Sequence, residues 1–233
     1  MIYQSMKKIM KRIPFAEPVI RTLKRRWSTL WFPGAEQYWE NRYQLGGNSG
    51  LGSYHQFAEF KAEILNDFVA QNHIQSVIEF GCGDGNQLKL ANYPLYIGLD
   101  VSPTAIKLCT NHFSNDNTKS FYLYHSLAFI DHVGLFRAEL SLSLDVLFHL
   151  VDNDIFHAYM SHLFNAGQKY VIIYSSNFDD SQIVHERHHQ FTKWVETYEP
   201  DWVLNQKIDN RYPYDPQRPN ETSLADFYIF SRK

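Results

Sequence analysis

Residues 77–86 of the chain read VIEFGCGDGN, a strand pattern that runs directly into a glycine-rich turn. The apolar run ends at Phe80, and glycines follow at positions 81, 83 and 85. Glycine allows the backbone to approach a ligand closely at the carboxyl end of a parallel strand. The stretch therefore predicts an α/β fold with a binding site at this turn.

Two acidic residues flank the turn and indicate what kind of ligand it binds. A pyrophosphate favours a helix N-terminus without nearby acids, whereas Glu79 and Asp84 bracket the glycines here. The spacing also departs from the G-x-G-x-x-G of dinucleotide folds, because Asn86 stands where the last glycine would be. The two carboxylates would repel phosphates and would suit a ligand that carries an ammonium and a sulfonium group.

A second stretch, residues 96–102 (YIGLDVS), ends a predicted strand at Asp100, 21 positions after Glu79. A carboxylate at this place can accept both ribose hydroxyls of a nucleoside. A glycine loop alone is weak evidence for a function. A glycine loop, a correctly spaced acid and alternating strands and helices together are strong evidence.

The two stretches resemble motifs I and II of class I S-adenosylmethionine-dependent methyltransferases. Residues 142–150 (LSLDVLFHL) look like the fourth-strand motif of that family, and residues 38–43 and 46–50 look like its entry segment. The likeness covers about residues 37–231. It implies a methyl-transferring enzyme whose cofactor is S-adenosylmethionine, and nothing in the sequence requires a metal.

The resemblance also implies which residues contact the cofactor. Glu79 would face its cationic end and Asp100 its ribose. The other expected contacts lie in the glycine turn and after the second, third and fourth strands: Gly81, Cys82, Gly83, Asn86, Gln87, Val101, Ser102, Ser126 and Leu144. His125 stands where an acidic or polar residue near the adenine is expected, so Ser126 and Leu127 are the candidates for adenine contacts.

Strand and helix patterns alternate from Gln37 onward, which predicts a doubly wound, mostly parallel sheet. We expect strands at residues 76–80, 95–100, 121–124, 140–144, 170–174, 202–208 and 225–230. We expect helices at 54–71 with Ser53 as cap, from 103, from 152 or 153, and at 185–198. The resemblance implies seven strands in the order 3-2-1-4-5-7-6, with strand 7 antiparallel.

Composition limits the class of protein. With 233 residues, 44% of them hydrophobic and 20% charged, the chain has the balance of a globular protein rather than a disordered one. The two cysteines, Cys82 and Cys109, provide neither a disulfide framework nor a metal-ligand spacing, which favours a reducing cytoplasm. The sequence also lacks an apolar run long enough to cross a bilayer.

Charge divides the chain into two parts. Residues 1–34 hold eight basic residues and one acidic residue, a net charge of +7, so the remainder carries −10 of the total −3. An acidic main body argues against nucleic acid as a partner. We therefore divide the chain into a basic amphipathic helical extension at 1–36 and a methyltransferase domain at 37–233.

The extension allows two interpretations. Apolar residues recur in it at helical spacing: Ile20, Leu23, Trp27, Leu30 and Trp31. This stripe could lie at the inner face of a membrane with its tryptophans at headgroup depth. It could instead dock on the domain or on a second subunit. The sequence does not indicate the oligomeric state.

Asp145, His149 and His188 are the candidate catalytic residues. Asp145 and His149 follow the fourth strand, at the carboxyl edge where substrates bind, although His149 could equally be a core histidine. Apolar neighbours of His188 should lower its pKa and keep it neutral. A neutral histidine can take the proton of an acceptor hydroxyl near pH 7.

Residues 185–189 (HERHH) match the H-E-x-x-H signature of zinc metalloproteases. On a helix, His185 and His189 would share a polar face rather than a protected site. We interpret the match as a coincidence in a histidine-rich segment.

The narrower details are similar to bacterial methyltransferases associated with surface-glycan assembly, on residues 47–50, 83–88 and 210–214. That likeness implies O-methylation of a sugar hydroxyl of a surface glycan or its precursor. Two alternatives stay open. One is methylation of another small molecule, such as a natural-product hydroxyl or amine, and the other is a non-catalytic cofactor-binding partner of a glycosyltransferase.

Overall fold

The structure, a computed structural model, describes residues 34–183 and 186–233. Residues 1–33 of the predicted extension lie outside the described residues, as do Val184 and His185. Within the described part of the chain, no helix has both the length and the apolar character needed to cross a membrane.

Seven strands form the main sheet: β1 Ser76–Phe80, β2 Leu95–Asp100, β3 Lys119–Leu123, β4 Ala138–Leu144, β5 Gly167–Ser175, β8 Trp202–Ile208 and β9 Asp226–Arg232. Their order is β3-β2-β1-β4-β5-β9-β8. Strands β1 to β5 pair in parallel, whereas β9 runs antiparallel to both β5 and β8. Counted along the chain, this is the predicted order 3-2-1-4-5-7-6 with an antiparallel seventh strand, so the predicted fold is confirmed.

Five α-helices are described: α1 Ala35–Gln44, α2 His55–Gln71, α3 Pro103–His112, α4 Asn153–Ala166 and α5 Phe191–Tyr198. Helix α3 begins at a proline, and the Ser102 hydroxyl in front of it accepts the Ala105 N–H. Asp152 caps α4 in the same way. Both predicted helix starts are confirmed, because each depends on a short-range capping interaction.

Two predictions about helix starts are wrong. Ser53 does not cap α2, because it ends a short 3₁₀ helix and Tyr54 occupies the N-cap position. The helix predicted at 185–198 begins only at Phe191. Residues 186–188 instead form strand β7, which pairs with β6 at Asp180–Ile183. The helical spacing in this segment is overridden by contacts with residues distant in sequence.

Helices cover both faces of the sheet. Side chains of β1 alternate between the faces, with Ile78 and Phe80 packing in the layer with α4 and α5, and Val77 packing with α2 and α3. Because both layers are apolar, the sheet is buried on both faces, as a doubly wound fold requires. The carboxyl ends of β1, β2 and β4 therefore meet at one edge, where α1 and the loop after it lie.

Candidate functional site

The glycine turn after β1 has the backbone that its sequence predicts. Gly81, Gly83 and Gly85 all have positive φ, at 87°, 57° and 76°. A Cβ atom on Gly81 would collide with the Val146 side chain, and one on Gly83 would collide with the Ser49 hydroxyl. The turn is therefore a close-packed cradle that admits backbone only.

A cavity of about 910 Å³, counted with its open mouth, lies against this turn. Most of the predicted cofactor and catalytic residues line it: Glu79, Gly81, Cys82, Gly83, Gln87, Asp100, Val101, Ser126, Leu144, Asp145 and His149. The lining also includes residues that the sequence analysis did not select, among them Trp39, Tyr43, Lys61, Tyr124 and Tyr159. Segments that are far apart in the sequence thus converge on one cavity.

Two predicted cofactor contacts do not line the cavity. Asn86 donates its side-chain amide to the carbonyl of Ser53, and Ser102 is the hydroxyl cap of α3. Leu127, a candidate for the adenine contact, is 61% exposed and also lies outside the lining. Asn86 and Ser102 thus stabilise elements around the cavity, and Ser126 is the adenine candidate that lines it.

Buried carboxyl groups give the cavity its electrostatic character. Glu79 accepts a hydrogen bond from Tyr96 (Oη–Oε2 2.6 Å), and burial raises its pKa to about 7 against the opposing effects of Tyr96 and Lys61. Burial raises the pKa of Asp100 to about 6, although backbone N–H groups of Ser102 and Gly83 oppose the shift. A cation in the cavity would stabilise both ionised forms.

Asp84, the second acid beside the turn, has a different role from the one that the sequence suggests. It does not line the cavity, and its carboxylate accepts hydrogen bonds from the Tyr54 hydroxyl and the Ser49 and Asn86 N–H groups at 2.8 to 3.0 Å. Burial would raise its pKa, but these hydrogen bonds outweigh burial and lower it. Asp84 therefore binds the loop at 45–54 to the turn.

Helix α1 closes the cavity from the other side. Glu40 accepts hydrogen bonds from the Thr104 hydroxyl at 2.7 Å and from the Ser102 hydroxyl, both at the start of α3. The Tyr43 hydroxyl lies 3.0 Å from Ser49 in the following loop. These contacts hold the aromatic face of α1, including Trp39, against the cavity.

A buried ion pair that the sequence analysis missed lies beside Glu79. Lys61 of α2 has no exposed side-chain surface, and its Nζ is 2.7 Å from the Asp145 Oδ2. The same Nζ lies 5.2 Å from the centre of the Tyr174 ring. A lysine inside the apolar stripe of α2 was the available sign, because Lys61 follows Phe57 and precedes Leu65 by one helical turn each.

This ion pair predicts an asymmetry in stability. The Asp145 side chain keeps 19% of its surface exposed, whereas Lys61 is completely buried. Asp145→Asn should therefore leave an unpaired buried charge and lower the free energy of unfolding by about 3–5 kcal/mol. Lys61→Met should cost less, because the remaining carboxylate can be hydrated. The double variant Lys61→Met/Asp145→Asn should regain most of the loss, as urea unfolding would measure. A larger loss for Lys61→Met than for Asp145→Asn would contradict this account.

Asp145 and His149 also line a second cavity of about 1210 Å³, counted with its open mouth. Trp39 and Ser49 are shared by the two cavities as well, so the cavities adjoin. Aromatic and polar side chains from the rest of the domain line the second one, including Phe57, Phe148, Tyr174, Ser176, Glu186, His188, Tyr214, Asn220 and Thr222. Asp145 and His149 therefore lie where the two cavities adjoin, and His188 lines the second cavity.

The two candidate histidines are held in different ways. The His149 ring stands edge-on to Trp39 at 5.0 Å, between the two cavities. The His188 Nδ1 lies 2.6 Å from the Ser176 Oγ, and its ring stacks on Phe178 at 4.6 Å. Burial lowers the pKa of His188 below its ordinary value, with Glu186 and Asp180 opposing the shift. The expected direction of that shift is confirmed.

The H-E-x-x-H segment does not have the helical geometry of a zincin. Glu186 and His188 are on strand β7, and His185 lies outside the described residues. The buried His189 stacks on Phe156 at 3.9 Å, with its Nε2 2.9 Å from the Leu150 carbonyl oxygen. Among the described residues there is no group of three or more His, Cys, Asp or Glu side chains that could hold a metal ion.

No protein-family model and no curated protein matches the chain. Solved structures match its fold. The N-methyltransferase NodS from Bradyrhizobium japonicum WM9, in complex with S-adenosylhomocysteine, is 14% identical with a TM-score of 0.63, over 86% of this chain and 99% of that one. The magnesium protoporphyrin IX methyltransferase ChlM from Synechocystis PCC 6803, with S-adenosylhomocysteine bound, is 13% identical with a TM-score of 0.56. That match covers 75% of this chain and 83% of the other. The chain therefore has the Rossmann-like methyltransferase fold.

Proposed function

We propose that this chain is an S-adenosylmethionine-dependent methyltransferase. The observation that carries the proposal is a cavity with a glycine cradle and two buried carboxyl groups, Glu79 and Asp100, at the carboxyl ends of β1 and β2. In open α/β sheets, ligands bind at this edge. The fold and the acidic lining together favour a nucleoside with a cationic end over a phosphorylated nucleotide.

The residues present fit such a ligand. Each Asp100 oxygen accepts one backbone N–H bond, from Gly83 or from Ser102, and keeps a lone pair for a ribose hydroxyl. The Gln87 Oε1 is buried and has no hydrogen-bond partner, although the residue lines the cavity. A buried acceptor without a partner costs stability unless a ligand supplies the donor. An ammonium group would supply one.

The raised pKa of Glu79 predicts that cofactor binding depends on pH. With a pKa of about 7, the carboxyl group is mostly protonated at pH 6 and ionised at pH 8. The ammonium group of the bound ligand favours the ionised form of Glu79. Affinity for S-adenosylhomocysteine should therefore rise about tenfold from pH 6 to pH 8, and binding below the pKa should release protons. Calorimetry in buffers of different ionisation enthalpy measures both effects. In Glu79→Gln the rise should disappear above pH 6.5, and a rise that persists there would contradict the assignment.

The second cavity is the proposed acceptor site. When bound, S-adenosylmethionine supplies an electrophilic methyl group. His188 is placed to accept the acceptor's proton at Nε2 if its Nδ1 donates to the Ser176 Oγ at 2.6 Å. Trp39 and His149 contact each other and line both cavities where the two adjoin. Asp145, neutralised by Lys61, orients an acceptor hydroxyl rather than acting as the base.

We propose that the acceptor is a sugar hydroxyl of a surface glycan or its precursor. Aromatic rings in the second cavity, such as Phe148 and Tyr214, offer flat faces for a sugar ring. Glu186, Asn220 and Thr222 offer polar groups among them for its hydroxyls. A histidine whose pKa is lowered suits a hydroxyl, because a hydroxyl must lose a proton as it is methylated. Such an enzyme would work in the cytoplasm, where sugar precursors are assembled.

A screen with methyl-labelled S-adenosylmethionine tests this function. We expect label transfer to a nucleotide sugar or oligosaccharide, at a rate at least about a hundredfold lower with the His188→Ala variant. NodS is named an N-methyltransferase, so transfer to small amines alone would favour the alternative small-molecule function. Cofactor binding without transfer to any acceptor would favour the non-catalytic alternative.

A further inference from the structure

The second cavity has a positively charged group that the proposed reaction does not use. Arg42 of α1 is half-buried, and among the described residues that line this cavity it is the one lysine or arginine. No acidic side chain in the described part of the chain lies within ion-pair distance of its guanidinium, whereas Arg211, for example, pairs with Glu63 at 2.8 Å. An arginine in a cavity without an acidic partner is available to an anionic ligand.

Hydrogen bonds and a ring contact restrain the guanidinium of Arg42. Its Nε donates to the Asn48 carbonyl oxygen, its Nη2 lies 3.4 Å from the Asn48 Oδ1, and its Nη1 lies 3.5 Å from the Tyr38 hydroxyl. Its Cζ lies 5.5 Å from the centre of the Trp39 ring. The hydrogen bonds use three of the five N–H donors, so one remains on each terminal nitrogen. Such a pair of donors matches the two oxygens of a phosphoryl group or a carboxylate.

The acidic side chains of the same cavity lie beside other groups. Lys61 holds the Asp145 carboxylate at 2.7 Å. Glu186 lies near His188, because its charge opposes the effect of burial on the pKa of that histidine. The described charges of the cavity thus leave Arg42 as the positive group that no acid balances. An anionic ligand gains an ion pair there, and a neutral ligand gains none.

Arg42 is also close to the place where the two cavities adjoin. Trp39 contacts both Arg42, at 5.5 Å, and His149, at 5.0 Å. Both Trp39 and His149 line the cofactor cavity as well as the second cavity. An anionic group bound at Arg42 would therefore fix one end of an acceptor one aromatic ring away from the cofactor cavity.

We propose that the acceptor carries an oxyanion, a phosphoryl group or a carboxylate, and that Arg42 binds it through two hydrogen bonds. The inference rests on the proposed function, which places the acceptor in the second cavity. It narrows the acceptor from any sugar to an anionic one, such as a sugar phosphate, a nucleotide sugar or a sugar acid. Arg42 is then a specificity-determining residue and takes no part in proton transfer.

Calorimetric titration of the full-length chain, saturated with S-adenosylhomocysteine, tests this inference without turnover. The probes are glucose 1-phosphate, glucuronate and the neutral methyl glucoside. We expect the wild type to bind one anionic probe at least about tenfold more tightly than the neutral probe, and Arg42→Gln to lose that preference. The anionic probe that binds more tightly identifies the group as phosphoryl or carboxylate.

Further variants separate recognition from a general effect on the fold. Arg42→Lys keeps the charge but not the pair of donors, so it should weaken the anionic probe about threefold or more. This variant carries the comparison if Arg42→Gln also weakens binding of S-adenosylhomocysteine. The matched control is Arg232→Gln, because Arg232 also lies near a tryptophan ring, 5.8 Å from the centre of Trp202, but outside both cavities. It should leave every affinity unchanged.

Equal affinity of the wild type for all three probes, or binding of none of them, would overturn the inference. An anionic preference that persists in both Arg42 variants would overturn it as well. Failure of the proposed function has a different result. A chain that binds an anionic probe through Arg42 but transfers no methyl group to any acceptor would contradict the reaction and leave the anion site in place.

Discussion

Alanine at His188 is expected to lower kcat at least about a hundredfold, the usual loss when a general base is removed. The Ser176 hydroxyl at 2.6 Å fixes the ring, and burial lowers the pKa so that the imidazole is neutral at pH 7. A base with a lowered pKa is active above that pKa. The wild-type kcat, measured with saturating cofactor, should therefore be level above pH 7 and fall only in more acidic solution.

Matched variants separate this role from a structural one. Ser176→Ala should lower kcat less than His188→Ala, because it removes only the partner of Nδ1. His149→Ala is the second candidate for a large loss, since His149 lies between the cavities. The exposed His132→Ala serves as the control. Cofactor affinity should stay unchanged in all four. Wild-type turnover in both His149→Ala and His188→Ala would show that neither histidine acts as the general base.

Alanine at Asp100 is expected to weaken binding of S-adenosylhomocysteine about a hundredfold or more. The buried carboxylate is the proposed acceptor for two ribose hydroxyls, and each hydrogen bond to a charged group is worth about 1.5–3 kcal/mol. The same carboxylate holds the Gly83 N–H at 2.9 Å, so its loss also loosens the glycine turn.

Asp100→Asn distinguishes these two contributions. An amide keeps the size but only one acceptor oxygen, so it can hold the Gly83 N–H while its NH2 group faces the Ser102 N–H. We expect an intermediate affinity, with a melting temperature of the free protein between those of the wild type and Asp100→Ala. Affinities equal to wild type in both Asp100 variants, measured by calorimetry, would show that the ribose does not bind at this carboxylate.

Strands β1, β2 and β8 have the bounds that the sequence predicts. In β1 and β2 a continuous apolar run ends clearly, whereas β8 is an edge strand with mostly exposed side chains. Strand β3 begins two residues before its predicted start, because it is an edge strand whose side chains are mostly exposed or half-buried. The β6–β7 hairpin was missed since its pairing competes with a helical spacing at 185–195. Periodicity reports burial, so it misplaced the start of the mostly exposed strand β3 and missed a hairpin whose pairing competes with a helical spacing.

The same limit applies to the site. The glycine turn and Asp100 were predictable because their function depends on local backbone and on a fixed position at a strand end. The pairing of Lys61 with Asp145 was not, since the two residues are 84 positions apart, although the place of Lys61 in the apolar stripe of α2 was a sign. Trp39 lines both cavities only because α1 folds back over the sheet edge. Contacts between distant segments leave little trace in one sequence.

Calorimetric titration of the purified chain with S-adenosylhomocysteine, beside NAD, tests the central claim most directly. The account predicts one binding site for S-adenosylhomocysteine and a higher melting temperature when it is bound, because ligand binding stabilises the native state. It predicts no binding of NAD, whose pyrophosphate would meet the carboxylates of Glu79 and Asp100. Binding of NAD together with no binding of S-adenosylhomocysteine would contradict the account.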